Sequence, residues 1–284
     1  MKLPPSVIKS LKAFLEEDIR SGDLTTQSMG PLNAPAIGTI LAKSKAILAG
    51  TKEIAAIADI FDVKHEILIF EGNWVSAIQP VMRLRGHADT LLSIERVCLN
   101  IIQRMSGIAT KAYRMSSAAK KANPKVRVAA TRKTTPGFRY FEKRAVQIGG
   151  ADPHRYALDD MVLIKNNHIA VMGGVSQAIR AAKEYVSFSK KISCEVRSIQ
   201  EVLSAVQTGA DIILLDNFEP EQVEEAHEML SEKGLRSRII LEASGGINES
   251  NVADYASAGV DIISSGALTH SYDSADFSMS IALE

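Results

Sequence analysis

The period of hydrophobic and polar positions changes along the chain. Helical spacing predicts a helix over Val7–Ile19, which ends at the turn-rich segment Ser21-Gly22-Asp23. Alternating or β-branched runs then predict short strands around a helix at Thr51–Phe61. The predicted strands are Ala36–Ala42, Ala46–Gly50, Val63–Phe70 and Val81–Gly86. This order is typical of a small α+β domain with a mostly antiparallel sheet.

Two further helices are predicted next, and between them a hinge at Ser106-Gly107. The helices are Ala88–Gln103 and Thr110–Ala122. From Val126 onward, strand and helix patterns alternate. The predicted strands are Val126–Thr131, Met161–Lys165, Ile192–Val196, Asp211–Leu215, Arg238–Ala243 and Asp261–Ser264. The predicted helices are Phe138–Ile148, Val175–Tyr185, Ile199–Thr208, Pro220–Lys233 and Glu249–Ala258.

Right-handed βαβ crossovers curl such an alternating chain into a parallel barrel. A closed barrel of this kind has eight strands, more than the pattern provides. The expected fold class is therefore α/β, with an incomplete parallel α/β barrel of six or seven strands over residues 109–284. Residues 1–108 are expected to form the smaller N-terminal α+β domain, and room is left for the last residues to pack back on it.

Composition narrows the classes of function. Of 284 residues, 33 are basic and 33 acidic, so no net field attracts nucleic acid or an anionic membrane. Acids interrupt the first helical segment, which does not resemble a signal peptide, and no apolar run is long enough to span a membrane. Cys98 and Cys194 lie in apolar segments and suit a reducing compartment. A cytoplasmic protein is expected.

Positive charge is concentrated in one part of this neutral chain. Between Arg127 and Arg155 there are seven Lys or Arg residues and two acids. Arg132-Lys133 follows one predicted strand, Lys165 ends the next, and His154-Arg155 lies between them. Parallel α/β sheets bind ligands at the carboxyl ends of their strands, and arginine pairs with carboxylates through two parallel hydrogen bonds. The pattern predicts a small, highly anionic ligand.

The other cations of this region lie on a predicted helix. For Arg139, Lys143 and Arg144, a solvated basic surface with ion pairs is the favoured interpretation. His154 is able to donate to an anion or to titrate near neutral pH. His168 is as suited to orienting its loop as to touching a ligand.

Two carboxylates follow neighbouring predicted strands. Glu195 and Asp216 suit one Mg²⁺, which binds through one or two carboxylates together with substrate phosphates. The structural alternative is that Asp216 caps the next helix while Glu195 pairs with a barrel arginine. The pair beside a phosphate-binding turn favours the metal.

Two turns of small residues follow the last two strands. Ser244-Gly245-Gly246 and Ser264-Ser265-Gly266 are expected to present backbone N–H groups at helix N-termini, where an oxyanion approaches closely. Late strands carry the usual phosphate site of such barrels, and His270 follows the second turn. A phosphate site is predicted here.

Taken together, these segments resemble the quinolinate phosphoribosyltransferase family. The likeness runs nearly end to end, with the motifs in family order. The matching segments are EDIRSGDLTT (17–26), ERVCLNIIQRMSGIAT (95–110), ATRKTTPGFR (130–139), HRYALDDMVLIKNNH (154–168), EV (195–196), LLDN (214–217), EASGGI (242–247) and SSGALTHS (264–271).

The resemblance implies an enzyme of NAD synthesis that uses quinolinate, phosphoribosyl pyrophosphate and Mg²⁺. Its products are nicotinate mononucleotide, pyrophosphate and CO2. It also implies an assembly that is a homodimer or a higher oligomer, in which Arg96 reaches the site of the neighbouring subunit. The implied catalytic residues are Lys133, Lys165, Glu195 and Asp216, the last two at the metal.

The resemblance further assigns most of these residues to substrate. The implied holders of the quinolinate carboxylates are Arg96, Arg132, His154, Arg155 and Lys165. The implied residues for phosphoribosyl pyrophosphate and its metal are Lys133, Glu195 and Asp216, and Thr131 is a further implied substrate-binding residue. The implied 5′-phosphate site is Ser244, Gly245, Gly246, Ser265, Gly266, Ala267 and His270.

One loop departs from the family pattern. The family reads Gly-Gly-Gly-x-Asn-His-Arg where this chain has Gly-Gly-Ala-Asp-Pro-His-Arg. Ala151 reduces backbone freedom, and Pro153 removes an N–H and fixes φ. A reshaped loop that keeps His154 and Arg155 is expected.

Three other functions stay open at this point. The first is the molybdenum-transport-associated paralogue of the same fold. The segment Leu163–His168 favours the enzyme over this paralogue. The second is an aldolase with Lys165 as Schiff base, which requires an apolar environment for the lysine. The third is a non-catalytic anion-binding protein.

Overall fold

The computed structural model describes residues 3–284, which contain most of the predicted helices and strands together with several that the sequence did not predict. The helices are α1 (Pro5–Ile19), α2 (Leu24–Ser28), α3 (Thr51–Ile60), α4 (Ala88–Ala122), α5 (Arg139–Ile148), α6 (Asn166–Met172), α7 (Val175–Tyr185), α8 (Ile199–Thr208), α9 (Pro220–Glu232), α10 (Val252–Ser257) and α11 (Ala267–His270). The strands are β1 (Pro35–Ala42), β2 (Ala46–Ile47), β3 (Lys64–Ile67), β4 (Trp74–Val75), β5 (Gln79–His87), β6 (Arg127–Ala129), β7 (Val162–Ile164), β8 (Ile192–Val196), β9 (Ile212–Asp216), β10 (Ile240–Ser244), β11 (Ile262–Ser264) and β12 (Phe277–Leu283).

By their contacts, the described residues form two compact units. The first comprises residues 3–111, 135–150 and 272–284, and the second residues 112–134 and 151–271. Residues 135–150, which the sequence assigns to the 109–284 domain, thus lie in the first unit. The division at 108/109 itself stays a prediction.

The first unit contains an antiparallel sheet in the order β12-β1-β5-β3. Alternate residues of β1 are buried, as expected for a strand with one face on the core. The predicted α+β arrangement of this region is confirmed. The sequence did not predict β4, a two-residue strand that pairs with β2.

The predicted hinge at Ser106-Gly107 is wrong, because α4 runs unbroken over 35 residues. Ser106 is fully buried, and its hydroxyl donates to the Ala49 carbonyl while accepting from the Ala49 N–H. A Cβ at Gly107 would overlap the carbonyl oxygen of Asp273. The glycine therefore serves a close approach of two backbones and gives the helix no flexibility.

The interpretation of the α5 cations as a solvated surface is also wrong for Lys143 and Arg144, and for Arg139 it stays a prediction. Lys143 is fully buried. The Arg144 guanidinium donates to Glu53 at 2.9 Å and to Glu71 at 2.5 Å, and only 13% of its side chain is exposed. Burial raises the pKa of Glu53 to about 7, partly offset by Arg144. Helix α5 thus carries a buried ionic network of the first unit.

The second unit contains a six-stranded parallel sheet in the order β6-β11-β10-β9-β8-β7. Residues 212–215 of β9 are all buried and apolar, as expected for a strand covered on both faces. Strands β6 and β7 end the sheet and do not pair with each other. The predicted fold class, an incomplete α/β barrel together with a smaller N-terminal α+β domain, is confirmed.

Three short helices were not predicted, namely α2, α6 and α11. Helix α10 begins at Val252, three residues later than predicted. Within residues 3–284 the longest helices are too polar to cross a membrane.

Candidate active site

A cavity of about 390 Å³ opens at the carboxyl ends of the parallel strands in the second unit. It brings together most of the charged residues predicted for the site. The predicted residues that line it are Thr131, Arg132, Lys133, His154, Arg155, Lys165, Glu195, Asp216 and Ser244. The other lining residues are Ala130, Leu163, Leu214, Glu242 and Ser264.

Two arginines, Arg132 and Arg155, line this cavity, and the charge of one acts on the other. Arg155 is buried, and its guanidinium donates to the Met161 carbonyl at 3.2 Å. Burial, together with the charge of Arg132, lowers the pKa of Arg155. The Nε of Arg132 is buried and has no hydrogen-bond partner among the described residues. Two mutually repelling guanidinium groups favour an anion between them.

The sequence reasoning missed Glu242. This residue lies in the middle of β10, fully buried, with its Oε1 3.4 Å from His154 Nε2. The His154 N–H donates to Asp152, and the His154 backbone adopts a left-handed φ of 54°. An acid inside the apolar segment Ile240–Ala243 was the available signal.

The predicted carboxylate pair is present. Strands β8 and β9 are parallel neighbours, and Glu195 and Asp216 both line the cavity. Burial, and then the charge of Asp216, raises the pKa of Glu195, while the Asn166 N–H and Lys165 lower it. Two adjacent carboxylates that repel each other suit a divalent cation.

One part of the structural alternative for this pair is present, and the other is not. Arg197, which the sequence reasoning did not name, pairs with Glu195 at 3.8 Å and with Asp216 at 3.3 Å. Asp216 does not cap the next helix, because Glu219 holds the N-terminus of α9. No group of three or more His, Cys, Asp or Glu in residues 3–284 is arranged as a metal site. A metal here would share its ligands with a substrate.

The two turns of small residues differ from expectation in one respect. Helix α10 begins well after Ser244-Gly245-Gly246, so the first turn does not open a helix. Gly245 has a φ of 105°, and a Cβ there would overlap the Asn217 side chain. The second turn leads directly into α11. The Ser265 hydroxyl donates to the Ile247 carbonyl at 2.5 Å and so ties the two turns together.

Lys133 lies beside the second turn. The Thr269 hydroxyl donates to the Lys133 carbonyl at 2.7 Å. A Cβ at Gly266 would be 2.7 Å from Lys133 Cδ and 2.9 Å from His270 Nε2. Lys133, Gly266 and His270 therefore form one cluster, although only Lys133 lines the cavity.

His168 orients a loop. Its Nδ1 accepts from the Lys165 N–H at 2.9 Å, at the start of α6. This bond fixes the backbone from which the exposed Lys165 side chain extends into the cavity.

The unusual loop joins the edge of the sheet. The Asp152 N–H donates to the Val128 carbonyl and the Ala130 N–H donates to the Asp152 carbonyl, both at 2.8 Å. Arg127 pairs with the Asp152 carboxylate. Pro153 thus comes after the last residue of this ladder, where no N–H is required of it.

Arg96 belongs to the first unit, on the exposed side of α4, and does not line the cavity. The first unit has a cavity of its own, of about 510 Å³, beside Arg104. Arg104 lies between the rings of Phe138 and Tyr272 and pairs with Glu142. None of the predicted site residues lines this second cavity.

The fold is an incomplete α/β barrel whose mouth carries cations, a carboxylate pair and turns of small residues. These features define a class of protein that is suited to binding phosphorylated, carboxylated small molecules. Comparison with known proteins identifies the family. The family model described as "Quinolinate phosphoribosyl transferase, C-terminal domain" matches residues 108–280, and that of the N-terminal domain matches residues 23–106. The chain belongs to the quinolinate phosphoribosyl transferase family.

Individual relatives agree with this assignment. A probable nicotinate-nucleotide pyrophosphorylase (carboxylating) of Methanocaldococcus jannaschii is 46% identical, covering 96% of each chain. The human nicotinate-nucleotide pyrophosphorylase (carboxylating) is 38% identical over 98% of this chain and 93% of its own. The crystal structure of NadC from Streptococcus pyogenes superimposes with a TM-score of 0.92 at 35% identity, covering 100% of this chain and 99% of that one.

Proposed function

We propose that this protein transfers the phosphoribosyl group of phosphoribosyl pyrophosphate to quinolinate, with loss of CO2, in the synthesis of NAD. The products are nicotinate mononucleotide, pyrophosphate and CO2. The observation that carries the proposal is one cavity that is lined both by Arg132 and Arg155 and by the Glu195–Asp216 pair. The names of the relatives give the same reaction class.

Quinolinate carries two adjacent carboxylates, which match the cations Arg132, Arg155 and Lys165. Arginine pairs with a carboxylate through two hydrogen bonds, and the unpartnered Nε of Arg132 supplies one donor. Nicotinate has a single carboxylate and would leave one buried cation unpaired. Rejection of nicotinate follows, because an unpaired buried charge is costly.

Phosphoribosyl pyrophosphate would bind in the same cavity. Lys133 would contact its pyrophosphate end, next to Thr131. The 5′-phosphate would lie against the small-residue turns and their neighbours. The proposed 5′-phosphate residues are Ser244, Gly245, Gly246, Ser265, Gly266, Ala267 and His270. The left-handed Gly246 has open space where a Cβ would lie, which lets an oxyanion approach its backbone.

Glu195 and Asp216 fit a bound Mg²⁺. Both are carboxylates on adjacent strands. Burial, and then the charge of Asp216, raises the pKa of Glu195, and a cation would relieve the repulsion between the two carboxylates. When bound with the substrate, the metal would neutralise charge on the departing pyrophosphate. Arg197, which pairs with both carboxylates, holds them in place until then.

The chain contributes positioning and charge, and needs no nucleophile of its own. The arginines orient quinolinate so that its ring nitrogen faces the anomeric carbon. The N–C bond forms as the bond to pyrophosphate breaks, with Lys133 stabilising the leaving group. The alkylated ring nitrogen is then cationic and stabilises the electron pair left on the adjacent carbon when CO2 departs. A proton taken up at that carbon completes the product.

The proposal includes a homodimer and a cytoplasmic location. Arg96 is exposed and does not line the cavity, and its proposed role is to reach the site of a neighbouring subunit. The two cysteines are buried and unpaired, and burial raises the pKa of each thiol to about 12. Thiols of this kind suit a reducing compartment.

The test is product formation from purified protein. Quinolinate, phosphoribosyl pyrophosphate and Mg²⁺ together are expected to yield nicotinate mononucleotide by mass spectrometry, and omission of any one is expected to abolish it. Binding of quinolinate without product would support the anion-binding alternative. Neither binding nor product, in folded protein, would support the transport-associated paralogue. Borohydride trapping of a substrate on Lys165 would support the aldolase.

A further inference from the structure

Glu242 is a buried charge whose role the proposed reaction does not explain. It lies in β10 between β9 and β11, at the level of Leu214, and is fully buried. Neither carboxylate oxygen has a hydrogen-bond partner among residues 3–284. A buried carboxylate with unsatisfied oxygens destabilises the fold. Such a residue at the wall of a cavity points to a function there.

The nearest ionic partner of Glu242 is His154, whose Nε2 lies 3.4 Å from Oε1. The other ring nitrogen, Nδ1, lies 2.8 Å from the Arg155 backbone nitrogen and accepts its N–H. A neutral imidazole carries one proton, and a nitrogen that accepts has none. The proton therefore resides on Nε2, on the side of the Glu242 carboxylate. Both ring nitrogens are directed at groups of the protein.

The same carboxylate acts on Arg155 through its charge. Burial and the neighbouring Arg132 lower the pKa of Arg155, whereas Asp160 and Glu242 raise it. Glu242 therefore offsets part of the repulsion between the two guanidinium groups before an anion binds.

We propose that Glu242 is a positioning residue for the dicarboxylate pocket, an inference that rests on the proposed function. Its Oε1, which lies 3.4 Å from Nε2, keeps the Nε2–H edge of His154 turned toward β10. Nδ1 then stays bound to the Arg155 N–H, and the Arg155 guanidinium keeps its direction. His154 thus acts through Arg155, and it need not touch the substrate.

Two substitutions separate this role from simple packing. Glu242→Leu removes the oxygens that lie on the Nε2 side of His154, whereas Glu242→Gln keeps one polar oxygen there. Glu242→Leu is expected to raise the KM for quinolinate about tenfold, which is the effect of losing one charged hydrogen bond between the Arg155 guanidinium and the substrate. The KM for phosphoribosyl pyrophosphate is expected to change little. Glu242→Gln is expected to restore most of the quinolinate affinity. Glu53→Gln, which neutralises a fully buried carboxylate in the first unit, is the matched control and should leave both KM values unchanged.

The side-chain ¹⁵N signals of His154 give a readout that does not depend on activity. Assigned by comparison with His154→Gln, they are expected to show a protonated Nε2 and an unprotonated Nδ1 in the wild type and in Glu242→Gln. A proton on Nδ1, or wild-type quinolinate affinity in folded Glu242→Leu, would overturn the inference. Failure of the proposed reaction is distinguishable, because the wild type would then form no product while its His154 tautomer still tests the Glu242 contact. If Glu242→Leu does not fold, the tautomer and the Glu242→Gln kinetics decide.

Discussion

The side chain of Lys133 packs against Gly266 so closely that a Cβ at Gly266 would lie 2.7 Å from Lys133 Cδ. The same Cβ would lie 2.9 Å from His270 Nε2. Gly266 has an ordinary backbone φ of −69°, so the position requires the absence of a side chain rather than an unusual backbone. One glycine thus lets a lysine and a histidine share a turn.

Gly266→Ala is therefore expected to displace Lys133 and to raise the KM for phosphoribosyl pyrophosphate by about tenfold or more, since small misplacements in an active site are costly. Steady-state kinetics with each substrate varied will measure it. The KM for quinolinate should change little. In a Lys133→Ala background the same substitution should have a much smaller effect, because the two changes act on one contact. Additive effects would show that Gly266 acts elsewhere.

Metal affinity should depend on pH through Glu195. Its pKa is raised by burial and by Asp216, so the ionised form that binds a cation becomes dominant at a higher pH than in an ordinary glutamate. Affinity for Mg²⁺ with phosphoribosyl pyrophosphate, measured by calorimetry, should rise with pH as Glu195 ionises. Asp216→Asn should move the rise to lower pH while weakening binding. The exposed Glu225→Gln serves as control, and a pH profile unaltered by Asp216→Asn would contradict the assignment.

The stability of the protein should respond to Glu53. Burial raises its pKa from 4.5 to about 7 in the folded state. Between these values the folded state holds a proton that the unfolded state has lost, so this group's contribution to stability falls as pH rises. The slope is at most about 1.4 kcal/mol per pH unit. Urea unfolding should show that the free energy of unfolding of Glu53→Gln increases relative to that of the wild type as pH rises from 4.5 to about 7. Parallel stability curves for the two proteins would exclude the effect.

Gly107→Ala tests the continuous helix α4. In an exposed helix, alanine in place of glycine stabilises by about 1 kcal/mol. Here the added Cβ would overlap the Asp273 carbonyl, so the substitution is expected to destabilise by about 1–3 kcal/mol, the usual range for overpacking. Thermal or urea unfolding gives the sign directly. A stabilised variant would mean that the segment is free to move, as a hinge would be.

The barrel was predictable because its parallel strands are short, mostly apolar runs whose side chains are buried. Strand β8 has the predicted bounds, and Ile212–Asp216 is displaced by one residue from its prediction. The location of Arg132 and Lys165 followed from the same pattern, since a residue at the carboxyl end of a parallel strand lies at the mouth of the barrel.

The errors have a common physical origin, which is contact between distant segments. Nothing local distinguishes a glycine that bends a helix from Gly107, whose role depends on Asp273. Lys143 and Arg144 look like surface charges until Glu53 and Glu71 are found beside them. Glu242 escaped notice because its strand reads as apolar, and its meaning depends on the loop that carries His154.

The central claim is that this cavity distinguishes a dicarboxylate from a monocarboxylate. The most direct test is the release of pyrophosphate and CO2 from phosphoribosyl pyrophosphate with quinolinate, compared with pyrophosphate release with nicotinate under the same conditions. The account predicts turnover with quinolinate and none with nicotinate, and loss of that turnover in Arg155→Met. Equal turnover of the two acids, or full activity of Arg155→Met, would contradict it.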